Sequence, residues 1–368
     1  MKSNIYRVIG VMSGTSLDGI DCAYVRIKKT PQYNFEWLAT ETIPYDTNWQ
    51  QQLSGALQLS KEERDQLDQE YTRYLTQVVG DFMKRHSIDA VDAICSHGHT
   101  VLHMPEEGVT LQIGNQSAFA KALKTRVVCD FRVKDVALGG QGAPLVPIGD
   151  QIFFDDYAYC LNLGGIANCS YERDGTRLAY DICPVNTVLN ALAQRLGKSF
   201  DNGGEVARSG QVNNRLLDQL NALDFYHKGP PKSLGMEWIN AQFFPLLEQS
   251  ELAVKDLLAT CTEHIAIQIS RAIAATPEQD ILVTGGGAYN AYLIERMRFH
   301  SAGYYKVPKP QLIDFKEALI FALLGVLRLE GKTNILASVT GASHDHSSGK
   351  IFDSAGIELL ENSEKSDS

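Results

Sequence analysis

The sequence predicts an α/β protein of two lobes, and three observations carry that expectation. Two stretches read as strand, glycine-bearing turn, strand. The first is Val8-Ile9-Gly10-Val11-Met12-Ser13-Gly14-Thr15-Ser16-Leu17-Asp18-Gly19-Ile20-Asp21-Cys22-Ala23-Tyr24-Val25, and the second is Tyr159-Cys160-Leu161-Asn162-Leu163-Gly164-Gly165-Ile166-Ala167-Asn168-Cys169-Ser170-Tyr171. Each is followed by amphipathic helical runs and further β-prone runs. The length, 368 residues, suffices for two hydrophobic cores. Glycines at such turns let backbone N–H groups approach an anion closely. A spaced pair of them therefore suggests two related lobes facing each other across a nucleotide.

The elements follow in order. Strands are expected at 5–13, 21–27 and 35–44, and their short connections make an antiparallel meander. Residues 61–86 place Leu67, Tyr71, Tyr74, Leu75, Val78 and Phe82 at helical spacing among dense charges, a long amphipathic helix. Strands at 90–96, 109–114 and 125–131 come next, with a short helix from Ser117 to Leu123. The glycine- and proline-rich stretch Val136-Ala137-Leu138-Gly139-Gly140-Gln141-Gly142-Ala143-Pro144-Leu145-Val146-Pro147 marks a crossing between lobes. The second lobe restarts with a hairpin at 158–172 and a strand at 177–182. Helices are expected at 184–197, 211–222, 236–248 and 254–275. A strand at Ile281-Leu282-Val283-Thr284 runs into Gly285-Gly286-Gly287 and a helix from Asn290, and a last long helix spans 315–330. The expected organisation is thus a first lobe at 1–145, a second at 146–314, a crossing helix and return segment at 315–355, and a disordered polar tail at 356–368.

Bulk properties narrow the function. Hydrophobic content of 44% and charged content of 21% are ordinary for a globular protein. A formal net charge of −10 argues against a nucleic-acid binder, since no basic excess is available for phosphates. No run approaches a membrane span, and the N-terminal residues lack the apolar core of a signal peptide. Seven cysteines, an odd number without a C-x-x-C pair, suit reduced thiols in a cytoplasmic setting and argue against structural zinc.

Several residues invite chemistry. The nine residues Ser13 to Asp21 hold three hydroxyls, two glycines and two carboxylates, more than a plain turn requires. Asp18 and Asp21 could orient water around Mg²⁺. Neither Gly197-Lys198-Ser199 nor Gly331-Lys332-Thr333 is a P-loop: Leu192 and Val326 stand where the first glycine belongs. Gly285 to Gly287 would let a flat nucleoside lie on exposed backbone, or simply make a tight strand–helix turn, and they lack dinucleotide spacing. In Ser96-His97-Gly98-His99-Thr100-Val101-Leu102-His103, strand alternation would put the three histidines on one face. Substrate hydrogen bonding or packing is favoured there over zinc, because no carboxylate completes a tetrahedral set. Arg132 in Asp130-Phe131-Arg132 reads either as a bidentate carboxylate or phosphate ligand or as a partner of Asp130. Asp181, at the end of a strand before Pro184, reads either as a helix cap or as a general base.

Taken together and in order, Gly10 to Asp21, Ser96-His97-Gly98, Asp130-Phe131-Arg132, Gly139 to Pro147, Leu163 to Asn168, Thr284 to Asn290 and Lys316-Glu317-Ala318 make the chain resemble the anhydro-N-acetylmuramic acid kinase family. The resemblance runs to about residue 355. It implies a two-lobed actin-like ATPase (ribonuclease H-like) fold, mixed sheets flanked by helices with a central interlobe cleft. It implies ATP and Mg²⁺ as cofactors, a small sugar as partner, no nucleic acid or membrane partner, and it admits a homodimer. The implied reaction converts ATP, 1,6-anhydro-N-acetylmuramate and water to N-acetylmuramate 6-phosphate and ADP in cytoplasmic peptidoglycan recycling. By position it assigns Gly14, Thr15, Ser16, Leu17, Asp18, Gly19, Ile20 and Asp21 to the ATP phosphates, Gly164 and Gly165 to a second phosphate loop, and Gly285, Gly286 and Gly287 to adenosine. Asp181 becomes the catalytic base, Arg132 and His97 line the sugar pocket, and Asp18 and Glu317 serve the metal through water. The chain departs from the family at Cys183-Pro184-Val185-Asn186, where a Gly-Pro-Gly-Asn turn is usual; Val185 disfavours positive φ, so the turn there is expected to differ. Two other readings remain: a sugar kinase of the same superfamily acting on an ordinary hydroxyl, and a non-catalytic ATP-binding switch.

Overall fold

The computed structural model describes residues 4–274 and 276–360. The chain divides into two compact units, Met1–Phe153 with Phe315–Ser368, and Phe154–Asp314. The first division falls later than the expected residue 145 because the helix Pro147–Phe153 stays with the first unit: Phe153 lies 4.9 Å from Phe35, ring to ring, and Gly149 packs on Ile320. The segment from Phe315 onward likewise belongs to the first unit.

In the first unit, β1 (Ile5–Ser13), β2 (Gly19–Lys29) and β3 (Tyr33–Pro44) form the antiparallel meander anticipated from their short connections. Parallel pairing then adds β4 (Ala93–Met104) beside β1 and β6 (Val127–Cys129) beside β4, while β5 (Val109–Ile113) pairs antiparallel with β4. The short strand Lys350–Phe352 closes this seven-stranded sheet against β6. β4 begins three residues later than expected and continues through the histidines to Met104. The helix Lys61–Arg85 starts on a capping box, with Ser60 Oγ accepting from the Glu63 amide at 3.2 Å and Glu63 Oε2 accepting from the Ser60 amide at 2.7 Å.

The sheet's two faces are covered differently. Ile9, Val11, Ile20 and Ile94 pack with Tyr71, Leu75 and Phe82 of that helix. The opposite face, from Gly10 and Cys95, meets the helix Pro310–Glu330, which is buried all round from Ala318 to Leu324. Here helix and strand touch backbone to backbone at Gly10, where a Cβ would collide with the Ala318 carbonyl; at Gly325 a Cβ would instead collide with the Cys95 side-chain sulfur.

The second unit uses the same plan. β7 (Tyr159–Leu163), β8 (Ile166–Arg173) and β9 (Thr176–Pro184) form an antiparallel meander. β10 (Asp280–Thr284) lies parallel to β7, and β11 (Tyr304–Lys306) parallel to β10. In both units the meander's first strand therefore carries the parallel extension. Its core joins Leu161, Leu163, Tyr180 and Val283 to Val188, Leu258, Ile265 and Leu293 of the surrounding helices. The helical run at 236–248 contains a π turn at Ile239–Phe243, just ahead of Pro245, whose missing N–H cannot join the ladder. Of the expected tail, 356–360 is ordered by pairing: Glu358 bridges Phe352, and the Leu359 amide donates to Ile351 O at 2.8 Å. Residues 361–368 of that expectation lie outside the described residues. Among the described residues no helix is long and apolar enough to cross a membrane.

Because a backbone carbonyl cannot rotate away as a side chain can, Gly10→Ala should destabilise the chain by about 3 kcal/mol or more, at the upper end of overpacking costs. Urea denaturation of the purified variant measures this, and a cost under about 1 kcal/mol would contradict the backbone contact.

Candidate active site

The turn between β1 and β2 is built on a buried base. Ser13 is 3% exposed, and its hydroxyl contacts Tyr45 OH at 2.7 Å and His99 Nδ1 at 2.8 Å; Tyr45 OH in turn meets Tyr71 OH at 2.6 Å. Ser13 therefore anchors the turn and does not offer its hydroxyl to a ligand. Beyond it Thr15, Ser16 and Asp18 are exposed. Leu17 adopts φ +59, a left-handed conformation costing roughly 1 kcal/mol. Its side chain packs on the apolar cluster, its amide donates to Gly14 O at 3.4 Å, and its carbonyl accepts from Gln50 at 3.3 Å. Ile20 is fully buried, so Leu17 and Ile20 face the core and leave only backbone to a ligand. Gly19 packs against the Ile43 backbone, and Asp21 accepts from Thr42 Oγ1 at 2.6 Å.

The histidines do not share a face. Gly98 has φ +74, and the pairing of β1 with β4 shifts register between Val11 and Ser13, so the strict alternation is broken. His97 turns to the helix Pro310–Glu330, 4.7 Å from the Phe321 ring, whereas His99 turns to the other side, 6.0 Å from Tyr71. His103 is exposed, with Nδ1 3.1 Å from Thr110 Oγ1. Both nitrogens of His97 are engaged. Arg132 Nε donates to Nε2 at 2.8 Å, which fixes the proton on Nδ1, and Nδ1 donates to Gly98 O at 2.9 Å. Burial, then the Arg132 charge, holds the His97 pKa well below the usual imidazole value; burial brings His99 down to about 4.

Arg132 does not pair with Asp130. Asp130 sits at φ +60 and binds Lys350 Nζ at 2.8 Å. Arg132 uses Nε on His97 and Nη1 on Gly142 O at 2.6 Å. Burial lowers its pKa to about 10, so it remains a cation at neutral pH, with Glu317 and then Asp135 favouring the charge. Part of the Glu317 surface is exposed, yet burial of its carboxyl raises the pKa against the pull of Lys316 and Arg132. Its neighbour Lys316 is buried and paired with Asp150 at 2.7 Å. Among the described residues no three His, Cys, Asp or Glu side chains gather to hold a metal by themselves.

In the second unit two glycine-bearing turns and the start of the helix Asn186–Gln194 converge. The Gly164 carbonyl accepts from the Asn186 amide at 3.2 Å, and the Gly165 carbonyl from Val185 and Thr187 at 2.8 and 3.2 Å, so the β7–β8 turn sits on the start of the helix Asn186–Gln194. Asn186 Nδ2 donates to Leu163 O at 3.0 Å. Parallel pairing of Thr284 with Asn162 brings Gly285 to Gly287 against the same turn. Gly285, at φ +79, leaves no room for a Cβ, which would lie 2.8 Å from the Leu163 carbonyl carbon. Asn290 caps the following helix, its Oδ1 accepting from the Leu293 amide at 2.9 Å, as its position after the glycines suggested.

Asp181 neither ends a strand nor caps a helix. β9 continues to Pro184, the helix begins at Asn186, and Val185 precedes it at φ −125 with no side-chain cap. Asp181 instead flanks a β-bulge: Ala167 and Asn168 face Cys183 and Asp181, leaving Ile182 as the extra residue. Bulges re-aim neighbouring side chains. Asp181 Oδ2 accepts from the Leu234 amide at 2.9 Å and Ser233 Oγ at 3.3 Å. Burial raises its carboxyl pKa, and those two donors partly offset the rise. The arrangement suits a base held in place by one oxygen.

Sequence reasoning missed Asp135, which is fully buried and accepts from the Gly142 amide and Thr340 Oγ1, both at 2.7 Å. A lone acid in the apolar stretch before a glycine-rich loop was the available signal. It also missed Asn186 and the Ser13–His99 contact, which no local spacing announces.

Two mixed sheets, each with a glycine turn on its opening hairpin, define a two-unit α/β protein. More particularly, the family model for anhydro-N-acetylmuramic acid kinase matches residues 6–354, and the chain belongs to that family. Proteins named anhydro-N-acetylmuramic acid kinase from Shewanella putrefaciens (37% identical, covering 96% of this chain and 99% of that one), Pseudomonas syringae pv. syringae (34%, 94% and 98%) and Aliivibrio fischeri (33%, 94% and 99%) are similar along their whole length.

The buried histidines predict acid sensitivity. His97, His99 and also His264, whose pKa burial lowers to about 3, are neutral when folded but bind protons near pH 6.5 when unfolded. Their contribution is complete above about pH 6.5 and is lost as pH falls, by up to about 1.4 kcal/mol per pH unit for each. The raised carboxyls of Asp181 and Glu317 oppose this, but they are partly solvated and fewer. Urea denaturation at pH 7, 6 and 5 should give steadily falling stability; a flat profile would contradict the buried neutral state.

Proposed function

We propose that the chain is an ATP-dependent kinase that hydrolytically opens the 1,6-anhydro ring of 1,6-anhydro-N-acetylmuramic acid and phosphorylates O6. Water adds to C1 as the C1–O6 bond breaks, O6 takes the γ-phosphoryl group, and the products are N-acetylmuramate 6-phosphate and ADP. The observation that carries the reading is Asp181, a half-buried carboxylate of raised pKa held through Oδ2, in a chain belonging to this family along nearly its whole length.

The chemistry resembles an inverting glycosidase in needing a base for water and an electrophile for the departing oxygen. Asp181 takes the water proton, and the phosphoryl group replaces the usual acid at O6. Arg132, already oriented by His97 and Gly142, turns its remaining N–H groups to sugar oxygens or to the lactyl carboxylate. His97 acts on the sugar through Arg132, since both its nitrogens are engaged. The backbone of Gly14 to Asp21, with exposed Thr15 and Ser16, holds ATP phosphates, and Gly164 and Gly165 serve as the second phosphate turn. Gly285 to Gly287 give adenosine a flat backbone. Mg²⁺ supplies charge neutralisation to the phosphates when bound. The exposed residues Asp18 and Glu317 fit a water-mediated role, and phosphate and water would complete the coordination. We further propose a cytoplasmic setting, supported by seven cysteines that are all free and buried, and a homodimer, open to test by light scattering.

The departure at Cys183 to Asn186 favours one second reading, a kinase for an ordinary sugar hydroxyl, in which Asp181 deprotonates that hydroxyl directly. Product formed in ¹⁸O-labelled water separates the two: the label is expected at C1, and its absence there would exclude water attack. Asp181→Asn should retain ATP and sugar binding while turnover falls by about 10²–10⁴-fold, the usual contribution of a positioned base. Near-normal turnover would remove Asp181 from that role.

A further inference from the structure

We propose that Asp135 is a positioning residue for sugar binding, setting the Arg132 guanidinium through the single residue Gly142; the inference rests on the reading of Arg132 as a sugar ligand.

Gly142 is held from both sides. Its amide donates to Asp135 Oδ2 at 2.7 Å, and its carbonyl accepts from Arg132 Nη1 at 2.6 Å. The rest of the loop is tied down beside it. The Gly140 amide donates to the Asp135 backbone carbonyl at 2.9 Å, and the Gln141 amide to Thr340 O at 2.8 Å. Thr340 Oγ1 in turn donates to Asp135 Oδ1 at 2.7 Å, and His346 Nε2 lies 3.6 Å from that oxygen. The Asp135 carboxylate thus fixes the Gly142 amide directly and the Gln141 amide through Thr340, while Gly140 is held by the Asp135 backbone. Close approach is built in: a Cβ on Gly140 would run into the carboxylate, which would push the loop off its acceptor.

The consequence reaches Arg132. Two contacts orient a planar guanidinium, and here they are His97 Nε2 and Gly142 O. The His97 contact comes from a strand inside the sheet and is rigid. The Gly142 contact comes from a glycine-rich loop, whose position depends on what holds it. Without the carboxylate, the Gly142 carbonyl drifts and the guanidinium can swing about its His97 contact, so its free N–H groups lose their aim. Such a loss falls on binding of the sugar rather than of ATP.

The test compares KM for 1,6-anhydro-N-acetylmuramic acid and for ATP in the full-length protein. Asp135→Ala should raise the sugar KM about tenfold while ATP KM stays within about twofold. Asp135→Asn, which can still present an amide oxygen to Gly142, should recover most of the loss. Gly142→Ala leaves the carboxylate intact but would place a Cβ 2.9 Å from Val136 and strain φ +66, so it should raise the sugar KM similarly and stands in if Asp135→Ala fails to fold. In an Arg132→Lys background, Asp135→Ala should add little. A purely structural Asp135 would lower the active fraction and leave both KM values unchanged, and that result would overturn the proposal, as would effects of Asp135→Ala and Arg132→Lys that multiply. If Arg132→Lys raises the sugar KM while neither Asp135→Ala nor Gly142→Ala does, the positioning inference alone fails. If Arg132→Lys leaves the sugar KM unchanged, the sugar-binding reading of Arg132 fails and takes the inference with it.

Discussion

The helix Pro310–Glu330 lies so close to β1 that the Ala318 carbonyl occupies the space where a side chain at position 10 would begin. Much else follows from that contact. β1 carries the turn of Gly14 to Asp18 at its far end, and the same helix carries Lys316 and Glu317 immediately before Ala318. A helix resting on side chains could slide or tilt as they change rotamer; one resting on backbone has far less freedom. Two turns on, Gly325 packs closely against the Cys95 side chain, so the helix also meets the adjacent strand β4. The glycine in the opening motif is therefore needed for closeness, not for an unusual backbone angle.

The first unit then divides its polar groups into those that carry charge and those that hold others in place. Arg132 remains a cation despite its surroundings, whereas His97, the imidazole beside it, is kept neutral and accepts the guanidinium N–H. A protonated His97 would repel Arg132 and lose its role as acceptor. Burial that excludes the second proton thus keeps the arginine oriented. The Ser13 hydroxyl, joined to His99, Tyr45 and Tyr71, does for the β1–β2 turn what His97 does for Arg132. In both places the buried polar groups satisfy one another, and the exposed ones are left for a ligand.

Much of this was legible in the sequence where the signal was local. Both meanders, the long helix after Ser60, the strand into Gly285 and the Asn290 cap follow from period, capping and glycine placement. What escaped depended on contacts between distant residues. The three histidines looked like one face because alternation was assumed across Gly98, and its positive φ sends His97 and His99 to opposite sides of the sheet. Asp130 looked like the natural partner of Arg132, two residues away, but Lys350 arrives from the far end of the chain to take it. Asp181 looked like a strand terminus because Pro184 resembled a helix start, whereas a bulge at Ile182 lets the strand continue past it.

The bulge also explains how the chain can depart from the usual glycine turn at Cys183 to Asn186 without disturbing the aspartate. Val185 takes a negative φ, and its amide is received by the Gly165 carbonyl at 2.8 Å, so the segment is tied to the β7–β8 turn by backbone bonds that do not depend on the residue at 185. The register shift is absorbed between Asp181 and Cys183, ahead of that segment. Asp181 is fixed separately, by Ser233 and Leu234 on a different loop. Changes at 183–186 therefore act first on the turn and the helix start, and they reach Asp181 through Ile182 and through β8, which pairs with both Asp181 and Cys183. A sequence can vary at that turn while the candidate base stays where the second unit's sheet puts it.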